Sequence, residues 1–184
     1  MINMGYKNIT VSLDVKRYYQ DESDWKDLVL KTGKITSTIG KSGCGLTCGA
    51  MLEKISPKVL YEDHNMTDLL CEWSKLPTYS ISHESIRDAE DAAFKLFLYI
   101  VLNEKPIILF GDDGKGSDYS THFVIVRGFI GKVAVDPDGN YFPADSRLDT
   151  FKVYDPSRVS GYGNSTNADE FNDRFPIKSF RVPS

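Results

Sequence analysis

The chain has 184 residues, of which 41% are hydrophobic, 12% aromatic and 26% charged, the proportions of a globular protein with a real core. That composition excludes intrinsically disordered, collagen-like and coiled-coil classes, and its length suits one domain over residues 1–184. Lys plus Arg number 22 against 26 Asp plus Glu, a net charge of -4 without a basic cluster, so neither nucleic-acid binding through phosphates nor membrane association is expected.

In chain order, the first expected element is a short strand over 10–15, followed by a polar stretch and a Gly/Thr/Ser loop over 32–43. Residues 44–55 place Cys44, Cys48, Met51, Leu52 and Ile55 at helical spacing, and Pro57 ends that helix. Two more helices are predicted over 66–76 and 82–103, the second with an apolar face of Ile86, Ala89, Ala93, Leu96, Phe97 and Ile100. The apolar run at 94–102 is broken by Lys95 and is too short to span a membrane. Strands are predicted at 106–111, 122–129, 132–136 and 151–155, with a Pro-Asp-Gly-Asn turn at 137–140 and a loop-like stretch at 157–170. Helices first and antiparallel strands second make an α+β arrangement, a helical half packed on a small sheet.

Three cysteines, Cys44, Cys48 and Cys71, are too few and odd in number for a disulfide framework. The first residues carry no apolar signal core, so a cytoplasmic, reducing location is expected; a phage-borne protein released by lysis is equally compatible.

Four residues bear chemistry. Cys44, between Gly43 and Gly45, opens a predicted helix, where unpaired N–H groups and the helix dipole lower a thiol's pKa and make it a nucleophile. His122 stands at the front of an apolar strand and follows the polar Asp118-Tyr-Ser-Thr stretch, which suits a general base facing a cleft. Asp155 ends a strand before Pro156 and can orient a histidine ring, with Asp136, also followed by proline, as its competitor. Gln20 precedes the cysteine and offers an amide donor to a developing oxyanion, together with the Cys44 N–H. His64 and His83 read as surface residues. Each of the four has a structural alternative: a cysteine in a glycine-rich turn, a strand-end histidine, an Asp-Pro turn, a solvated glutamine.

The order Gln, Cys, His, Asp is that of papain-like cysteine peptidases. Tyr18-Tyr-Gln20-Asp21 with Trp25, then Thr38-Ile-Gly40-Lys-Ser-Gly43-Cys44-Gly45, Lys105-Pro106-Ile107, His122-Phe-Val-Ile-Val-Arg-Gly128 and Tyr154-Asp155-Pro156 resemble the bacteriocin-processing (double-glycine leader) peptidases and their papain-like relatives. The resemblance implies a papain-like α+β fold with Cys44 as nucleophile, His122 as general base and acid, Asp155 as orienting carboxylate and Gln20 as oxyanion donor. It implies a peptide, protein or peptidoglycan-peptide substrate and neither metal nor cofactor. Gln20 lies farther from Cys44 than in the transporter-linked members, and no transporter portion is present, so leader cleavage coupled to export is not expected. Competing readings are an inactive papain-like binding module and a transglutaminase-like or deamidating thiol enzyme. A metal site through Cys44, Cys48 and a histidine lacks the usual two-by-two ligand pattern.

Overall fold

The computed structural model describes residues 5–116, 120–143, 146–158 and 164–184. Its centre is an antiparallel sheet of β1 (Gly5–Ser12), β4 (Ile81–Ser85), β5 (Ile107–Asp112), β6 (Thr121–Val135), β7 (Tyr141–Phe142), β8 (Phe151–Tyr154) and β9 (Ile177–Pro183). The main path runs β1-β6-β5-β9-β4, with β7 and β8 also paired to β6. A separate hairpin joins β2 (Val29–Thr32) to β3 (Ile35–Thr38).

β6 is the organising strand, because β1, β5, β7 and β8 all pair with it. The expected break between 122–129 and 132–136 does not occur. Gly131 is accommodated inside one continuous strand, and β1 runs alongside it from Gly5↔Val135 to Ser12↔Gly128. Gly128 is required there, since a Cβ would stand 2.3 Å from the Val11 carbonyl oxygen.

Both sheet faces are covered. On one face Leu109, Val124, Val126 and Phe129 pack under α4 (Ala89–Leu96), the π-helical turn Phe97–Leu102 and α5 (Ala168–Arg174). On the other, Ile108 and Ile125 pack under α2 (Cys44–Glu53) and α3 (Pro57–Glu62). The expected helical half on a small sheet is therefore corrected: the helices are few and short, and they lie on both sides of a seven-stranded sheet. The architecture is mixed α and β around an antiparallel sheet.

Local departures have local causes. Pro57 does not end a helix; it sits in the first turn of α3, capped by Ser56 accepting from the Val59 N–H, where proline's missing donor costs nothing. The helix expected over 66–76 is absent. Asp68 accepts from the Leu70 N–H at 2.7 Å and from Thr32 Oγ1 at 2.6 Å, a side-chain turn that competes with helix formation. Cys71 then takes a left-handed φ of 56°, and only a single turn, Trp73–Lys75, follows. The helix expected over 82–103 starts late, at the Asp88 cap, whose side chain accepts from the Asp91 N–H at 2.8 Å. Residues before it are drawn into β4 by pairing with β9. The first strand lies earlier than expected, over Gly5–Ser12, and the Gly/Thr/Ser loop contains β3 and the short α1 (Ile39–Ser42). The loop-like stretch 157–170 ends in α5, and its residues 159–163, like Asp118 and Tyr119, lie outside the described residues. No helix of the described residues is long and apolar enough to cross a membrane.

Candidate active site

The sequence-predicted Cys44, His122, Asp155 and Gln20 come from four separate segments and meet at one end of β6. Cys44 opens α2 as expected. Gly43 precedes it in tight contact with the turn before: a Cβ there would lie 2.5 Å from the Ile39 carbonyl oxygen and 2.6 Å from its Cγ2. The Gly43 N–H donates to Ile39 O at 2.8 Å, and its own carbonyl accepts from the Thr47 N–H at 2.8 Å. The glycine thus joins α1 to α2 and sets the position of the Cys44 backbone. Cys44 is half-buried, whereas Cys48 and Cys71 are buried in the core.

His122 enters at the start of β6, opposite Gly111 of β5. A Cβ at Gly111 would come within 2.3 Å of the Phe175 carbonyl oxygen, so the strand passes directly against the segment that carries Phe175. The rings of Phe175 and Phe171 lie 5.3 and 6.1 Å from the imidazole, forming its apolar wall. His122 is only 2% exposed and Asp155 only 1%.

β8 pairs Tyr154 with Ile125, which delivers Asp155 to the histidine. His122 Nε2 and Asp155 Oδ1 are 2.8 Å apart. The carboxylate also accepts from the Ser157 N–H at 3.0 Å and the Ser165 N–H at 3.2 Å, so a buried charge has three donors. Asp136, the competing carboxylate, stands at the far end of β6. There it accepts from Asp138 N–H and from the backbone and side chain of Asn140, which hold its carboxyl below the usual range; it closes a turn.

Burial pushes the His122 pKa down, but hydrogen bonds with Asp155 and Cys44, and the charges of both, outweigh it and raise the value to about 10. Burial pushes the Cys48 and Cys71 thiols well above their ordinary value, with the nearby Cys44 charge adding to it.

Gln20 is buried, and it lines the same cleft as Cys44 and His122. Its Nε2 donates to Gly40 O at 2.9 Å, which uses one of its two amide hydrogens. Its backbone N–H donates to Pro156 O at 2.9 Å, tying the glutamine segment to the residue after Asp155. Cation–aromatic stacking reinforces that tie. Arg158 lies 4.1 Å and Arg17 4.7 Å from the Tyr19 ring centre, while Arg17 and Arg127 lie 5.1 and 4.6 Å from that of Tyr154.

The cleft has a volume of about 560 Å³. Cys44, His122 and Gln20 line it together with the four residues of β3, Lys41 and Ser42. His64 is half-buried, His83 is exposed, and neither lines the cleft. Among the described residues, no three His, Cys, Asp or Glu side chains converge to hold a metal ion.

Sequence reasoning missed three features of this site. The Ser157 and Ser165 amides and the aromatic wall of Phe171 and Phe175 carry no sequence signal, because distant segments supply them. The hairpin wall was hidden in a stretch whose Thr and Ser content reads as loop; the two residues Gly33-Lys34 between Thr32 and Ile35 were the available clue. Comparison of the chain with protein-family models, curated proteins and solved structures found no match.

Proposed function

We propose that this chain is a papain-like cysteine peptidase, a thiol hydrolase of amide bonds in peptides, proteins or peptidoglycan stem peptides. The observation that carries the reading is the buried His122 ring, held by Asp155 at 2.8 Å through Nε2 and sharing one cleft with Cys44, whose interaction raises the histidine's pKa; the reading assigns Nδ1 to the thiol. Nucleophile, base and orienting group in a line are what acyl transfer needs.

In this reading the proton of the Cys44 thiol rests on His122 when the sulfur attacks the substrate carbonyl carbon. The C=O pair moves onto oxygen, which accepts from the Cys44 N–H and from the second Nε2 hydrogen of Gln20. As the tetrahedral species collapses, the C–N bond breaks and His122 Nδ1 gives its proton to the leaving amine. His122 then takes a proton from water, whose oxygen attacks the thioester carbon; the acid leaves and Cys44 is regenerated. Asp155 holds the ring in place throughout.

The test is release of new α-amino groups from reduced, unfolded casein by the parent protein, Cys44→Ala and His122→Ala. Release by the parent and none by Cys44→Ala supports the reading. Equal release by parent and Cys44→Ala, or no release by the parent with Cys44 labelling no faster than free cysteine, overturns it.

A further inference from the structure

The β3 strand that lines the cleft has a hydrogen-bonding edge that β2 does not use. In the hairpin, Leu30↔Ser37 and Thr32↔Ile35 are the pairs that bond across it, and the Ile39 N–H donating to Leu28 O at 3.0 Å continues the same alternation. Thr36 and Thr38, paired with Lys31 and Val29, therefore turn their N–H groups away from β2. The same alternation is visible on the other strand, where the Lys31 N–H points outward and donates to Thr67 O at 2.8 Å. That bond occupies the outer edge of β2. Among the described residues, no backbone acceptor meets the outward N–H of Thr36 or Thr38, and all four residues of β3 line the cleft that holds Cys44.

Charge gives this edge a second character. Residues 28–52 contain Lys31, Lys34 and Lys41 and no Asp or Glu, within a chain of net charge -4. Lys41 lines the cleft, is exposed, and has no carboxylate partner among the described residues. Apart from His122 it is the one ionisable cation among the described lining residues.

We infer that the occupant of this cleft is an extended peptide segment that adds to the free edge of β3 as a third strand and places an acidic side chain against Lys41. The inference rests on the peptidase reading and names its substrate class. Main-chain bonds to Thr36 and Thr38 supply affinity that is indifferent to sequence, and Lys41 supplies selection. One partly solvated ion pair is worth about threefold to fivefold in affinity.

The probe is a set of fluorescent eight-residue peptides of Ala, Thr and Val in which one Glu, Gln or Lys occupies each position in turn. Binding is read by anisotropy on Cys44→Ala, which cannot turn the peptides over. At one or two adjacent positions Glu should bind about threefold to fivefold tighter than Gln, with Lys weaker than both. The Glu preference should vanish in Cys44→Ala with Lys41→Gln, and weaken in 0.5 M salt. Cys44→Ala with Thr36→Pro removes an outward N–H that β2 does not use, so it should weaken every peptide while leaving the urea midpoint unchanged. Equal binding of the three peptide types, or a Glu preference that survives Lys41→Gln, overturns the inference. Full affinity in the Thr36→Pro variant overturns the strand pairing. Glu-selective binding without cleavage of the same peptides by the parent would overturn the peptidase reading and leave this inference standing.

Discussion

Replacing Asp155 by asparagine changes almost no volume and tests the proposed triad at its most constrained member. The carboxylate receives three donors, with His122 Nε2 and the Ser157 N–H converging on Oδ1 and the Ser165 N–H on Oδ2. An amide keeps the first two only by turning its own NH2 toward the Ser165 N–H, so two donors face each other in a buried place. That costs about 1–3 kcal/mol. The second loss is the charge beside His122: without it, burial pulls the ring toward its neutral form. Removing one partner of a buried pair costs about 3–5 kcal/mol in all. With a urea slope of roughly 2 kcal/mol/M, Asp155→Asn should lower the pH 7 unfolding midpoint by about 1.5–2.5 M. Turnover on casein should fall by about 10²-fold or more, because the ring loses its orientation and its readiness to hold a proton. Urea titration followed by tryptophan fluorescence, with amine release on the same samples, measures both. A midpoint within about 0.3 M of the parent would show that this carboxylate does not hold the ring, and the reasoning would fail.

Other expectations follow from the same geometry. Iodoacetamide with peptide mapping should label Cys44 first, since burial raises the thiol pKa of both Cys48 and Cys71; equal rates at the three positions would contradict this. The folded His122 pKa of about 10 lies above its ordinary 6.5, so the native state binds the extra proton. That stabilisation is complete below about pH 6.5 and disappears as pH rises toward about 10; urea midpoints should fall across this window and fall less in His122→Gln. Gln20→Ala should lower turnover by about 10²-fold with Cys44 labelling unchanged, and normal turnover would move the oxyanion role elsewhere. Gly43→Ala forces a Cβ to 2.5 Å from Ile39 O, so it should cost about 1–3 kcal/mol and slow Cys44 labelling. A parent-like melting temperature would refute that contact.

Elements with their own internal pattern were legible in the sequence, and those made by distant partners were not. α2 begins at Cys44 as expected and ends at Glu53, with Lys54 in a left-handed conformation, because Leu46, Cys48, Ala50, Met51 and Leu52 face core at helical spacing. β5, β8 and the start of β6 were legible because they are buried apolar runs bounded by polar turns. β4, by contrast, has a polar, exposed sequence and exists through its pairing with β9. β9 carried no expectation, and the first residues of α5 fell in a stretch whose composition reads as loop. The four chemical residues stood out individually, yet nothing local distinguished Asp155 from Asp136 beyond a cleaner strand before it. What decides between them is the β8 register against β6, and pairing register is a property of two segments at once.

The position of β9 has a consequence for the order in which the site is completed during folding. β5, with Ile108, Leu109 and Phe110, is paired on one side by β6 and on the other by residues 177–181. The wall behind His122 includes Phe175, and Gly111 passes against that residue's backbone. A chain in which residues 175–183 have not yet docked already contains all four candidate catalytic side chains. It lacks both the Phe175 part of the aromatic wall and the strand that closes the edge of β5. An apolar open strand edge in such a chain is exposed to mispairing. Docking of this strand thus removes an aggregation hazard and completes the setting of the histidine in a single event.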